Sequence, residues 1–287
     1  MLYSFLIPAL FFFTPNDIHF TKVESIDIHT AVKDKLVEVE VNSKGGHSGD
    51  CIALSIIPVS DKRFEFTIPA GTHFIAKNNP EQDIFVVEDQ ILAFDGKKEQ
   101  SYSVEGFCSQ ADDHSPEEGS GFKMTLSKNK ELIKLASFIK GKGYSNQTKQ
   151  SAVWAVSDGE SIATIFDDEQ ENVGDLRSYV CELTERPNPW YNSTVKYTIR
   201  EDRQIETSPT LIEGTIEYKV VEKGKMKLSI YRADGSFVKD IFKDIAMNHI
   251  CETSINFKGK VQGWEPGGYE VRILINDKVI QAMPFEV

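Results

Sequence analysis

The sequence lacks the residue patterns on which several large functional classes depend. Its 287 residues carry 32 Lys and Arg against 44 Asp and Glu, a net charge of −12, and the basic residues form no cluster. Nucleic acid is bound largely through clustered cations that displace counterions, so we expect no binding to nucleic acid. No nucleophile-elbow, phosphate-loop or dinucleotide-binding glycine pattern occurs. The acidity is typical of a well-solvated surface.

Cysteine is scarce, at four residues, and no two form a Cys-x-x-Cys pair. Their spacing does not suit zinc, and the histidines are scattered, so we predict neither a metal nor a cofactor. An even number of cysteines permits two disulfides in an exported protein, among three pairings that the sequence does not distinguish. Cys51–Cys108 with Cys181–Cys251 is one such arrangement, and free thiols are the alternative.

The sequence has no apolar run long enough to cross a bilayer, which takes about 20 residues. The apolar start ends at Phe13, without the basic first residues or the small-x-small site of an ordinary secretory signal. We nevertheless favour a signal segment over residues 1–21 rather than a packed strand, because its many aromatics suit a membrane. This predicts an extracytoplasmic protein, secreted or on the cell surface, with no transmembrane span in the mature chain. Whether the segment is cleaved stays open.

Residues 22–190 combine a strand pattern with a helical one. "LVEVEVNS" alternates with period two, and "CIALSIIPV", "DIFVVEDQILAF" and "QSYSVEGF" follow at regular spacing with turn residues between them. The period then becomes helical in "NKELIKLASFIKGKG", "NQTKQSAVWAVSDG" and "ENVGDLRSYVCELTERPNPW". We predict an antiparallel β-sandwich with a helical appendage.

From about residue 193 to residue 287 the strand pattern returns, with hairpin turns at Asp234-Gly235 and Asn276-Asp277. This region predicts a second, smaller β-sandwich of immunoglobulin-like or fibronectin-like type. The fold class is therefore mostly β (α+β), in two domains.

One glutamine raises a chemical question. Gln150 lies one turn before Trp154 in a segment that is apolar on almost every side, which predicts a buried helix. A buried amide is costly unless both of its ends find hydrogen-bond partners. The amide either bonds a strand edge or loop backbone, or it has reacted.

The residues around Gln150 carry a resemblance. "QSAVW" resembles the Gln-x-Ala-Ile/Val-Trp motif of thioester domains in surface adhesins of Gram-positive bacteria, and "FCSQADDHSP" resembles their aromatic-Cys…Pro segment. The resemblance implies an internal thioester between Cys108 and Gln150, shielded by Phe107 and Trp154, which captures a host amine. Lys149 stands where that family usually has Thr.

The C-terminal region has its own resemblance. "LSIYRADGSFVKDIF" and "GGYEVRILINDKVI" resemble the immunoglobulin-like domain of flagellar hook-capping proteins and C-terminal sandwiches of Bacteroidetes secretion cargo. Such domains serve as spacers or binding modules. We expect a bacterial surface or envelope protein that binds an unidentified protein or surface ligand in adhesion, and no enzyme. A structural or assembly module of the envelope without covalent chemistry is the alternative. A hydrolase is disfavoured, because no nucleophile with a neighbouring base is evident in the sequence.

Overall fold

A computed structural model describes residues 23–167, 169 and 172–287. The signal prediction for residues 1–21 lies outside the described residues. Within the described part of the chain, no helix is long and apolar enough to cross a membrane.

The N-terminal domain has three layers, a small sheet, a large sheet and a set of helices. Its strands and helices in chain order are β1 (Glu24–Asp27), α1 (Ile28–Lys33), β2 (Val37–Ser43), β3 (Ser48–Pro58), β4 (Phe64–Ile68), β5 (Thr72–Ala76), β6 (Ile84–Phe85), β7 (Gln90–Phe94), β8 (Gln100–Cys108), β9 (Phe122–Leu126), α2 (Lys130–Ile139), α3 (Asn146–Ser157) and α4 (Val173–Thr184). A 3-10 turn, Ile162–Thr164, separates α3 from α4. The predicted series of strands followed by three helices is present, but the short helix α1 between β1 and β2 was not predicted.

The strands of this domain form two sheets. The small sheet has the order β1-β4-β7, and the large sheet has the order β2-β3-β8-β6-β5-β9. A bridge between Asn42 and Gly121 brings the two edge strands of the large sheet together. The pairing is antiparallel except between β1 and β4, which run parallel.

Two apolar cores lie on opposite faces of the large sheet. The first lies between the sheets and contains Phe66, Phe74 and Phe94. The second lies between the large sheet and the helices and contains Phe85 and Leu135. Because successive side chains of a strand point to opposite faces of the sheet, neighbouring residues contribute to different cores. The centre of the large sheet is therefore covered on both faces.

The C-terminal domain is a two-sheet sandwich. Its strands are β10 (Tyr191–Ile199), β11 (Ile205–Val220), β12 (Gly224–Arg232), β13 (Phe237–Met247), β14 (Cys251–Lys260), β15 (Gly268–Ile275) and β16 (Lys278–Glu286). A sheet β10-β11-β14 faces a sheet β13-β12-β15-β16 across one core. Both predicted hairpin turns are present; Asn276 and Asp277 both have positive φ, as a type I′ turn requires.

Arg177 fixes the connection between the two domains. Its guanidinium, on α4, donates to the side chains of Asn188 and Asn192 and to the backbone oxygens of Pro189 (2.6 Å) and Tyr191 (2.7 Å). The side chain is buried, and its rigid fork of donors matches four acceptors on one short segment. The path of the chain from α4 into β10 thus depends on one arginine.

We expect Arg177→Ala to lower the free energy of unfolding by about 3 kcal/mol, because it leaves buried oxygens without donors. Arg177→Lys should recover only part of this loss, since an ammonium cannot span all four acceptors. Urea unfolding measures the effect. The control is Arg200→Ala, which removes an exposed side chain paired at 3.5 Å with Asp202 and should change stability by less than about 1 kcal/mol. Equal stabilities of the two alanine variants would contradict the role of Arg177.

Candidate functional site

Cys108 and Gln150, which are 42 residues apart in the sequence, lie together in the structure. Cys108 is the last residue of β8, and Gln150 lies in the first half of α3. The Gln150 side chain donates from Nε2 to the Cys108 carbonyl oxygen at 2.8 Å, and its Oε1 accepts from the Cys108 backbone N–H at 3.1 Å. The two residues predicted to be partners are therefore in direct contact, through the side-chain amide of Gln150 and the backbone of Cys108.

Both residues are removed from solvent. Cys108 is 0% exposed and Gln150 is 1% exposed. Burial raises the pKa of the Cys108 thiol well above its ordinary value, and the neighbouring Cys51 adds to the shift. Burial also raises the pKa of the Cys51 thiol to about 12. Both groups are protonated at neutral pH, and all four cysteines of the chain are free thiols in the structure.

Helix α3 brings Gln150 to this position because it is buried on nearly all sides. Residues 148–155 are all buried, which confirms the burial predicted from the apolar residues of this segment, although four of the eight are polar. Ser145 begins the helix and accepts a hydrogen bond from the Thr148 backbone N–H, as an N-cap residue does. The helix packs against strands β3 and β8 on one side and helices α2 and α4 on the other.

Lys149 anchors the helix beside Gln150. Its ammonium lies 2.5 Å from a Glu88 carboxylate oxygen and 2.9 Å from one of Glu105, which is on β8. Burial lowers the pKa of this ammonium, but the hydrogen bonds that it donates to the two carboxylates outweigh burial, so the pKa lies above its ordinary value. The position where the thioester-domain family usually has Thr thus carries a buried, charged tether between α3 and β8.

The two predicted shielding residues lie in different cores. Trp154 packs in the core that contains the Cys108 thiol. Phe107 is fully buried but belongs to the helical core, on the other face of β8. The Trp154 indole N–H is buried without an acceptor in the described part of the chain, so this residue packs through its ring.

A group of rings packs around Trp154, and two of its members, His47 and Tyr197, were not predicted from the sequence. His47, in the turn before β3, accepts the Cys108 N–H at 2.9 Å through its backbone oxygen, so this N–H serves two acceptors. The His47 ring stacks on Trp154 at 5.7 Å, and Tyr197 of the C-terminal domain meets Trp154 edge-on at 5.3 Å. Burial lowers the pKa of His47, so its imidazole is neutral at pH 7.

A serine and a histidine that are distant in the sequence, Ser109 and His73, meet beside this site. The Ser109 hydroxyl lies 3.1 Å from Nε2 of His73, and Asp83 lies 3.9 Å from the same nitrogen. A catalytic triad needs the hydroxyl and the carboxylate on opposite ring nitrogens, so that the acid orients the base. Here both oxygens face Nε2, and Asp83 already accepts from Ala76 and Gln110. The three residues therefore form a structural network.

Of the remaining cysteines, Cys51 shares the core of Cys108, whereas Cys181 and Cys251 lie elsewhere. Cys51 lies in the same core and donates weakly to the Gly106 oxygen at 3.5 Å. Cys181 is half-buried on α4, and Cys251 is exposed at the start of β14. Among the residues that the structure describes, no group of three or more His, Cys, Asp or Glu side chains could hold a metal ion.

Comparison of the chain with protein-family models, with curated proteins and with solved structures finds no match.

Lys149→Ala should lower the free energy of unfolding by about 2 kcal/mol, because it leaves two half-buried carboxylates without their shared cation. Since the Lys149 pKa is raised in the folded state, the stabilisation is complete below about pH 10.4 and is lost as the pH rises through the folded pKa. Urea unfolding of both proteins at pH 7 and pH 11 tests this.

The matched control is Lys140→Ala, which removes an ion pair of similar length (2.6 Å, to Asp89) from an exposed position. Its effect should stay below about 1 kcal/mol. The assignment of Lys149 as an anchor fails if its variant is no less stable than the Lys140 variant.

Proposed function

We propose that this protein is an exported bacterial protein that binds at the cell surface or envelope, with an adhesive role, and that it captures amines covalently through Cys108 and Gln150. The observation that carries the proposal is the pair of hydrogen bonds between the Gln150 amide and the Cys108 backbone. These bonds hold the side-chain carbonyl carbon of Gln150 beside Cys108, which carries the sulfur. The resemblance of "QSAVW" and "FCSQADDHSP" to thioester domains supports the same chemistry.

Bond formation would proceed by attack of the Cys108 sulfur on the side-chain acyl carbon of Gln150. The carbon–nitrogen bond breaks, the thiol proton goes to the leaving nitrogen, and ammonia is released. The Cys108 N–H, which donates to Oε1, would polarise the carbonyl and stabilise charge on its oxygen during attack. A primary amine then attacks the thioester, forms an amide with Gln150, and returns a proton to the sulfur.

Burial supports such a bond in two ways. With Cys108 0% exposed and Gln150 1% exposed, water that would hydrolyse a thioester is kept away. The neighbouring rings of Trp154 and His47 add an apolar surround. The proposed reaction is a single covalent capture rather than turnover.

A structural or assembly module without covalent chemistry is the second candidate, and specific observations favour it. The Gln150 amide is satisfied by backbone partners at both ends, as a purely structural glutamine requires. The raised pKa of the Cys108 thiol also lowers its reactivity towards the amide. In this case Gln150 joins α3 to the end of β8 and does nothing further.

The intact mass of the purified protein before and after methylamine treatment separates the two candidates. Covalent capture predicts a mass short by one ammonia that gains one methylamine, located at Gln150 by peptide mapping. Gln150→Ala and Cys108→Ser should abolish both changes. Gln147→Ala, at an exposed position of the same helix, and Cys51→Ser, in the same core, are the matched controls and should retain them. A full, unreactive mass in the wild-type protein would falsify the covalent proposal and leave the structural module.

A further inference from the structure

The Cys108–Gln150 pair is sealed, so a nucleophile reaches it only if some element moves. Neither residue is more than 1% exposed. Two of the residues beside the pair are His47, whose backbone oxygen accepts from Cys108, and Ser151, which follows Gln150 in α3. Both are in contact with the C-terminal domain.

Tyr197, on β10, makes these contacts. Its ring meets His47 at 5.7 Å and Trp154 at 5.3 Å, edge-on in both cases, and its hydroxyl lies 3.2 Å from that of Ser151. Tyr197 also packs against the core that contains the Cys108 thiol. A residue of the second sandwich therefore lies on both residues that flank the pair.

The tip of the same hairpin, between β10 and β11, is fastened to the first domain. The Arg203 guanidinium lies 2.9 Å from a Glu81 carboxylate oxygen and 3.3 Å from one of Glu117. The Ser115 N–H donates to the Arg203 carbonyl oxygen at 2.8 Å. The Glu81 side chain is only 3% exposed, and its charge is stabilised by Arg203 together with a hydrogen bond from the Ser120 hydroxyl at 2.8 Å. We call the Arg203–Glu81 ion pair the latch.

We infer that the second sandwich completes the site: the β10–β11 hairpin covers Cys108 and Gln150, the latch holds it closed, and Tyr197 determines which primary amines enter. The amine chemistry in this inference rests on the proposed function. The covering of Cys108 does not, because a free thiol needs the same opening to be modified. Because a single side chain, Tyr197, contacts both His47 and Ser151, the class of nucleophile is a slender primary amine, either a small alkyl amine or the lysine side chain of a partner protein.

The experiment measures how fast the pair is modified under native conditions. If the thioester is present, the rate is that of methylamine incorporation at Gln150; if it is not, the rate is that of Cys108 alkylation by iodoacetamide, followed on its peptide. Arg203→Ala and Tyr197→Ala should each raise the rate about tenfold, because local opening becomes easier. Lys196→Ala, at an exposed position beside Tyr197, should leave the rate unchanged.

An engineered disulfide that holds the hairpin against the first domain, here called the lock, gives a more specific test. His114 and Gln204 form an antiparallel bridge, with the Ser115 N–H bonded to the Arg203 oxygen beside it. This is a non-hydrogen-bonded pair, whose short Cα separation suits a disulfide. In the double variant His114→Cys/Gln204→Cys, oxidation should slow modification of the pair about tenfold, and a phosphine reductant should restore the rate.

Global unfolding is separated from local opening by Leu135→Ala, which destabilises the helical core without touching the hairpin. The rates of the two variants are compared after correction for their free energies of unfolding. If Leu135→Ala then accelerates modification as much as Arg203→Ala does, the latch has no specific role and the inference is wrong. Equal rates for the oxidised and reduced lock would overturn it as well. Absence of the thioester, by contrast, refutes only the proposed function, since the lock is then read out by alkylation.

Discussion

Helix α3 has no solvent-facing side over residues 148–155, and this constraint governs the polar groups that it carries. Three consecutive polar residues in that stretch each bond in a different direction. Lys149 reaches two carboxylates, Gln150 reaches the backbone of Cys108, and Ser151 reaches Tyr197. An unpaired buried polar group costs about 1–3 kcal/mol, so these partners together fix the rotation of the helix and hence the position of the Gln150 amide.

The parts of the fold that depend on local patterns could be predicted from the sequence. Period two identifies β2 and its neighbours, and the change to a helical period identifies α2, α3 and α4. Asn276 and Asp277 mark the turn before β16 because both tolerate positive φ. The approach of Gln150 to Cys108 followed from a motif resemblance, and the structure places the two side by side. The contact between the two residues is observed, whereas the thioester bond between their side chains stays a prediction.

Other features depend on partners distant in the sequence, which carry no periodic signal. The parallel pairing of β1 with β4, the meeting of Ser109 with His73 and the contact of Tyr197 with Trp154 are of this kind. The placement of Phe107 is different, because the strand pattern of the sequence was enough to predict it. Adjacent residues of a strand face opposite sides, so Phe107 and the Cys108 thiol could not both line one core.

A reactive acyl bond faces two opposed demands, since it must be kept from water and yet be reached by a partner's amine. A rigid, closed core satisfies the first demand only. The contribution of Tyr197 from a second domain offers a way to satisfy both, because a hairpin held by one aromatic residue and a few polar contacts opens at a lower free-energy cost than the core around Cys108. If the pair is inert, the same contacts serve as a domain junction, and the seal around Gln150 is a consequence of packing. The site is therefore best understood as a property of both domains together.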